Sequence, residues 1–150
     1  MKKKILLLVI AILVLIQFIR PTKNISADAF QTDISKVYKV PGDVSDILKK
    51  ACNDCHSNNT RYPWYAEIQP VAWWLNDHIE EGKEELNFSE FGGYSLRRQI
   101  SKLRSIENSI KDGTMPLSTY TFMHKDAKLT KEEQAQLIDW VKTTRNSLTK

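Results

Sequence analysis

Cys52, Cys55 and His56 stand in the order Cys-x-x-Cys-His, and these two cysteines are all that the 150-residue chain has. On one helical turn, residues three and four apart share a side, so both sulfurs and the imidazole can meet one flat partner. Thiols that can add to vinyl groups as thioethers, beside an imidazole that can bind iron, meet the needs of covalent c-type haem attachment with His56 as proximal ligand. Chance assembly of the pattern from the available residues is roughly 3 in 10,000. A thioredoxin-like pair belongs near a βαβ pattern, and zinc needs more ligands than two cysteines and scattered histidines; neither context is present. Two cysteines also make no disulfide framework for a chain of this size.

The sixth iron ligand is expected from the loop holding Met115-Pro116, after Asp112-Gly113-Thr114. A soft thioether there favours ferrous iron and closes the second axial position, which suits outer-sphere electron transfer. Met123, His78 and His124 remain alternatives; His124, further along the same loop, is the next contender, whereas His78 reads as a helix-face residue. Tyr62, Trp64, Tyr65, Trp73 and Trp74 crowd behind the motif, as the walls of a large flat cofactor would. Trp64 and Trp73 are taken as candidate haem contacts. Arg61 and the indole N–H groups are candidate partners for haem propionates. The second nitrogen of His56 needs an acceptor, for which a backbone carbonyl near Pro63 or Pro70 is expected.

Helices are required to position these groups. Asp43 can cap a first helix whose Val44, Ile47, Leu48 and Ala51 form one apolar face leading into the motif. Pro70 opens a second from Val71 to about Glu85. A Gly92-Gly93 break precedes a third, with Leu96, Ile100, Leu103, Ile106 and Ile110 in a stripe that stops at Asp112-Gly113. Thr130 and Glu133 form a capping box before a last helix carrying Leu137, Ile138, Trp140 and Val141. The first and last helices are expected to pack across each other. No period-two alternation competes, so residues 42–150 read as one all-α domain.

Ahead of it, Lys2, Lys3 and Lys4 precede a fifteen-residue run, Ile5 to Ile19, broken only by Gln17. Charged and apolar regions in that order suggest a membrane-directed segment over residues 1–20, expected to act as an uncleaved signal anchor and transmembrane helix. A cleavage site at Ala27-Asp28-Ala29 is the poorer alternative. The positive-inside rule would put the remainder on the periplasmic side of a bacterial cytoplasmic membrane. Residues 21–41 are polar and aperiodic, as expected of a linker. Beyond residue 20 the chain has 18 basic and 18 acidic residues, so the net charge of +4 comes from the N-terminus. A nucleic-acid partner would need a basic stripe on the body of the domain, which this balance does not supply.

Beyond the motif, the runs Ser57-Asn-Asn-Thr-Arg-Tyr-Pro-Trp64, Gln69-Pro-Val-Ala-Trp-Trp74, Asp77-His78 and Glu85-Leu-Asn-Phe-Ser89 resemble the bacterial haem-binding domain family of cytochrome-c-like proteins. The resemblance covers about residues 42–147. It implies a cytochrome c-like helical fold around one covalent haem, with Cys52, Cys55 and His56 as attachment and proximal ligand and Met115 as distal ligand. The expected function is that of a membrane-anchored monohaem carrier exchanging single electrons with a redox partner protein, rather than an enzyme. The alternatives are a haem sensor or small-gas binder with a displaceable sixth ligand, a peroxidase-like catalyst, and an interaction module in which haem is structural.

Overall fold

The computed structural model describes residues 2–28 and 30–149, which form helices and no sheet; an isolated bridge pairs Ile25 with Asn59. In chain order the helices are α1 (Lys2–Leu15), α2 (Ile34–Val37), α3 (Gly42–Ala51), α4 (Asn53–His56), α5 (Val71–Glu85), α6 (Leu96–Lys111), α7 (Ser118–Met123) and α8 (Lys131–Ser147). The all-α expectation holds, and the four longer helices after the linker lie where apolar spacing placed them.

In α3 the cap position is Pro41, two residues ahead of the expected cap Asp43, which sits instead in the first turn, where its charge suits the positive helix end. Val44, Ile47, Leu48 and Ala51 are all buried, in one core with Leu137, Trp140 and Val141 of α8. The crossing of first and last helices is thus observed, and the Trp140 indole locks it by donating to the Lys39 carbonyl at 3.1 Å. Helix α6 packs more extensively on α8. Leu103, Leu137 and Val141 are 0% exposed there, each contributing about 1.5–3 kcal/mol of burial. The α8 capping box has both halves: the Glu133 amide donates to Thr130 Oγ1 at 3.2 Å, and the Thr130 amide donates to Glu133 Oε2 at 2.9 Å. Gly113, with φ of 67°, ends α6 in a left-handed conformation that a β-carbon would strain.

One carboxylate ties α6 to α8. Glu107, 6% exposed, lies 2.5 Å from Lys111, 2.6 Å from Arg145 and 3.7 Å from Lys142. Hydrogen bonds from Lys111 and Arg145 hold its carboxyl down to about 2. A depressed carboxylate contributes stability that is complete above its ordinary value and is lost as pH falls through the folded-state value. The stability difference between wild type and Glu107→Gln should therefore shrink as pH falls from about 5 to about 2, measured by urea unfolding across that range. A difference independent of pH would assign Glu107 a packing role alone.

The N-terminal segment departs from expectation. No helix among the described residues is long and apolar enough to cross a membrane. Helix α1 has 14 residues, about 21 Å at 1.5 Å per residue against a hydrocarbon core of about 30 Å. A 3-10 turn, Ile16–Phe18, follows it, and there the chain bonds to the body of the protein. The Gln17 side chain exchanges hydrogen bonds with the Gln69 backbone at 3.0 and 3.3 Å, and the Ile19 carbonyl accepts from the Gln69 and Trp73 side chains, both at 2.9 Å. Arg20 and Lys23 both pair with Glu67 at 2.5 Å. The expected single-pass anchor and the periplasmic placement derived from it are therefore not supported. Of the alternative cleavage site, Ala29 lies outside the described residues. The segment expected to be a linker contains α2, whose Ile34 is 3% exposed within the core. Asn24, in the same segment, donates to the Ser57 carbonyl and to Thr60 Oγ1 at 2.8 and 2.9 Å.

Candidate functional site

The motif occupies the end of α3 and the single turn of α4. The His56 amide donates to the Cys52 carbonyl at 3.0 Å, so Cys52 and His56 stand one turn apart as the spacing predicts. The Cys55 backbone rests directly on α5 at Gly82. A β-carbon at Gly82 would lie 2.7 Å from the Cys55 carbonyl oxygen, inside contact distance. That close approach brings the α5 carbonyls to the imidazole: His56 Nδ1 donates to the carbonyls of Gly82 at 2.8 Å and Leu86 at 3.0 Å. Two carbonyl partners put the proton on Nδ1 and leave the Nε2 lone pair for a metal. Both acceptors belong to the negative end of α5, which strengthens the imidazole as an electron donor. Phe88 braces the ring edge-on, 6.1 Å between centroids.

Above the motif is an open cleft. Cys52, Cys55, His56 and Met115 line one cavity of about 260 Å³, with Leu117, Tyr120 and His78. An adjoining cavity of about 200 Å³ shares Cys52, His56 and Met115 and extends along Phe88, Ile106 and Ile110. The walls of both are largely apolar, as in cofactor sites. The charged rim holds Glu85 and Lys102, paired at 3.0 Å; that bond keeps the Glu85 carboxyl below its ordinary value. Burial, and then the neighbouring Cys55, pushes the Cys52 thiol up to about 12. Burial and the Asp54 charge push the Cys55 thiol up to about 11. Protonated thiols in such surroundings are the reverse of the electropositive setting that activates redox-exchange cysteines. Two thiols, an imidazole with Nε2 available and a thioether on one apolar cleft fit the needs of a haem.

The structure thus gathers Cys52, Cys55, His56 and Met115 and leaves three other candidates outside the cleft. Arg61 donates from Nε and Nη2 to Asp54 at 3.1 and 3.2 Å, and to the Lys49 carbonyl at 2.9 Å; bonding to Asp54 raises its pKa further. Trp64 is 74% exposed and lines no part of these cavities, while the Trp73 indole is engaged by Ile19. Among the alternative distal ligands, His124 Nε2 accepts from the Tyr65 hydroxyl at 2.7 Å and is absent from the lining. His78 donates from Nδ1 to the Trp74 carbonyl at 2.9 Å and lines both the Met115 cavity and a neighbouring one with Trp74 and Met123. The acceptors of His56 lie on α5, not in the loop near Pro63 and Pro70. Phe88, Ile106, Leu117 and Tyr120 line the cleft with no signal in the sequence that marks them as its walls. Ile106 belonged to the apolar stripe of α6, but nothing in a stripe distinguishes a wall from a core.

Comparison with known proteins supports haem binding. The haem-binding domain family matches residues 11–143. The chain is 27% identical over 118 residues to cytochrome c peroxidase Ccp of Escherichia coli (strain K12), a match covering 77% of this chain and 25% of that protein. The chain therefore spans a quarter of that relative's length. No solved structure matches. The family match takes in the motif, α5 and the Met115 loop together, and the chain belongs to the haem-binding domain family.

Proposed function

We propose that this protein is a monohaem c-type cytochrome that passes single electrons and does not turn over a substrate. Bound haem would supply a one-electron iron centre. In this reading Cys52 and Cys55 form the thioethers, His56 is the proximal ligand and Met115 the distal one. The observation that carries it is the convergence of both thiols, the oriented imidazole and the Met115 thioether on one apolar cleft. The negative end of α5 holds His56 in a fixed tautomer and direction, so little reorganisation accompanies a change of charge. Apolar walls exclude water, and the open side of the cleft gives a redox partner protein access for outer-sphere transfer.

Met115→Ala tests the distal assignment. The wild-type protein, loaded with haem, should show a low-spin spectrum that carbon monoxide leaves unchanged. The variant should turn high-spin and take up carbon monoxide on mixing, with a markedly lower reduction potential because a soft ligand to ferrous iron has gone. Identical spectra and gas response in the two proteins would remove Met115 from the iron.

A gas-binding or sensor role, with a displaceable sixth ligand, is the alternative that the same measurement separates. Rapid carbon monoxide uptake by the wild-type ferrous protein would select it.

A further inference from the structure

A hydrogen bond ties the attachment motif to the helix that follows the Met115 loop. Asp54, between the two cysteines, is 6% exposed, and its carboxylate accepts the Tyr120 hydroxyl at 2.7 Å. The anchor itself is held: the Arg61 amide and guanidinium both donate to it, at 3.1 to 3.2 Å. Tyr120 lies on α7, which starts three residues after Met115. A helix of six residues is too short to be stable by itself, so its ties to the body of the protein decide where it sits. At the other end of the Met115 loop, the Ser109 carbonyl accepts from the Thr114 and Met115 amides at 3.0 and 3.3 Å.

Resting on the ligand assignment above, we propose that Tyr120 is a positioning residue: through Asp54 it fixes α7, holds Met115 over the cleft, and thereby sets how readily an outside molecule reaches the sixth position. The tie connects floor and lid directly, because Asp54 adjoins the thioether cysteine while Tyr120 and Met115 line the same cavity. Its strength is that of a hydroxyl bonded to a carboxylate in a partly dry site, about twice a neutral hydrogen bond. The Tyr120 ring also stacks on His124, 4.5 Å between centroids and 23° between planes, a contact that removal of the hydroxyl leaves in place.

Tyr120→Phe in the full-length haem-loaded protein is the test, with Asp54→Asn as a second arm that weakens the tie while keeping an acceptor. Two quantities are read: the rate of carbon monoxide uptake by the ferrous protein, and hydrogen exchange at the Thr121 and His124 amides, whose acceptors are the Leu117 and Tyr120 carbonyls. Loss of the bond should raise both rates on the order of 10- to 100-fold in Tyr120→Phe, and less in Asp54→Asn. Tyr65→Phe, which frees His124 and leaves Tyr120 bonded to Asp54, should raise neither as far. Wild-type rates in both Tyr120→Phe and Asp54→Asn overturn the proposal. Instant carbon monoxide uptake by the wild type would instead defeat the Met115 assignment, and amide exchange then still decides the tie: faster exchange in Tyr120→Phe upholds it and unchanged exchange overturns it.

Discussion

With alanine at both Cys52 and Cys55, the protein is expected to lose its haem completely under denaturing conditions that leave the wild type coloured. A thiol adds across a vinyl double bond with its proton going to the neighbouring carbon, so the new carbon–sulfur bond survives unfolding. On the proposed assignment the remaining contacts would not: coordination by His56 and Met115 would depend on the fold, and the cleft is open at its rim. Haem staining of denaturing gels and intact mass separate the cases. Wild type should carry the mass of one haem, each single variant should keep it through the remaining link, and the double variant should run colourless. A wild-type protein that bleaches in the same gel, with both thiols open to alkylation, would end the c-type reading while leaving haem binding intact.

Gly82→Ala should destabilise the protein by about 1–3 kcal/mol, an overpacking cost, and lower its melting temperature by roughly 3–10 °C. The sign carries the information. An alanine inside a helix ordinarily gains about 0.5–1 kcal/mol over glycine, so a loss at Gly82 measures the contact with Cys55. The obstructing atom is the Cys55 carbonyl oxygen, 2.7 Å from the new β-carbon, and a backbone atom cannot rotate away. Relief must come from separating α4 and α5, which lengthens the His56 bonds to Gly82 and Leu86. The variant should therefore also show a raised reduction potential, since a weaker bond at Nδ1 makes the imidazole a poorer donor to iron. Gly42→Ala is the control: nothing lies within 4 Å of its β-carbon, and it should be neutral or stabilising by about 0.4–1 kcal/mol. Equal responses of the two variants in urea unfolding would show that the α4–α5 contact bears no strain.

Much of the arrangement was legible in the residues because it is local. The one-sided grouping of Cys52, Cys55 and His56 needs only a helical turn. The apolar face of Val44, Ile47, Leu48 and Ala51, and the Thr130–Glu133 box, depend on neighbours within a few positions. These features were fully specified before any packing, and the helices formed there. Met115 is singled out by its place in the loop after Asp112-Gly113-Thr114 and its Met-Pro context, and the fold brings it to the same cavity as His56.

What only tertiary structure decided is which side chains those local units meet. His56 finds its acceptors 26 and 30 residues away, at Gly82 and Leu86, because α5 crosses α4 closely enough to exclude a β-carbon. Arg61 and Trp73 have the chemistry to touch a haem and are spent on Asp54 and Ile19 instead. The N-terminal segment shows the same: hydropathy describes the run from Ile5 to Ile19 as one apolar stretch, but the α-helix gives way after Leu15 to a 3-10 turn, and Gln69 and Trp73 bond Gln17 and Ile19. A side chain's type states which bonds it can make. Which partner is in reach depends on how distant segments cross, and that is settled when the whole core packs.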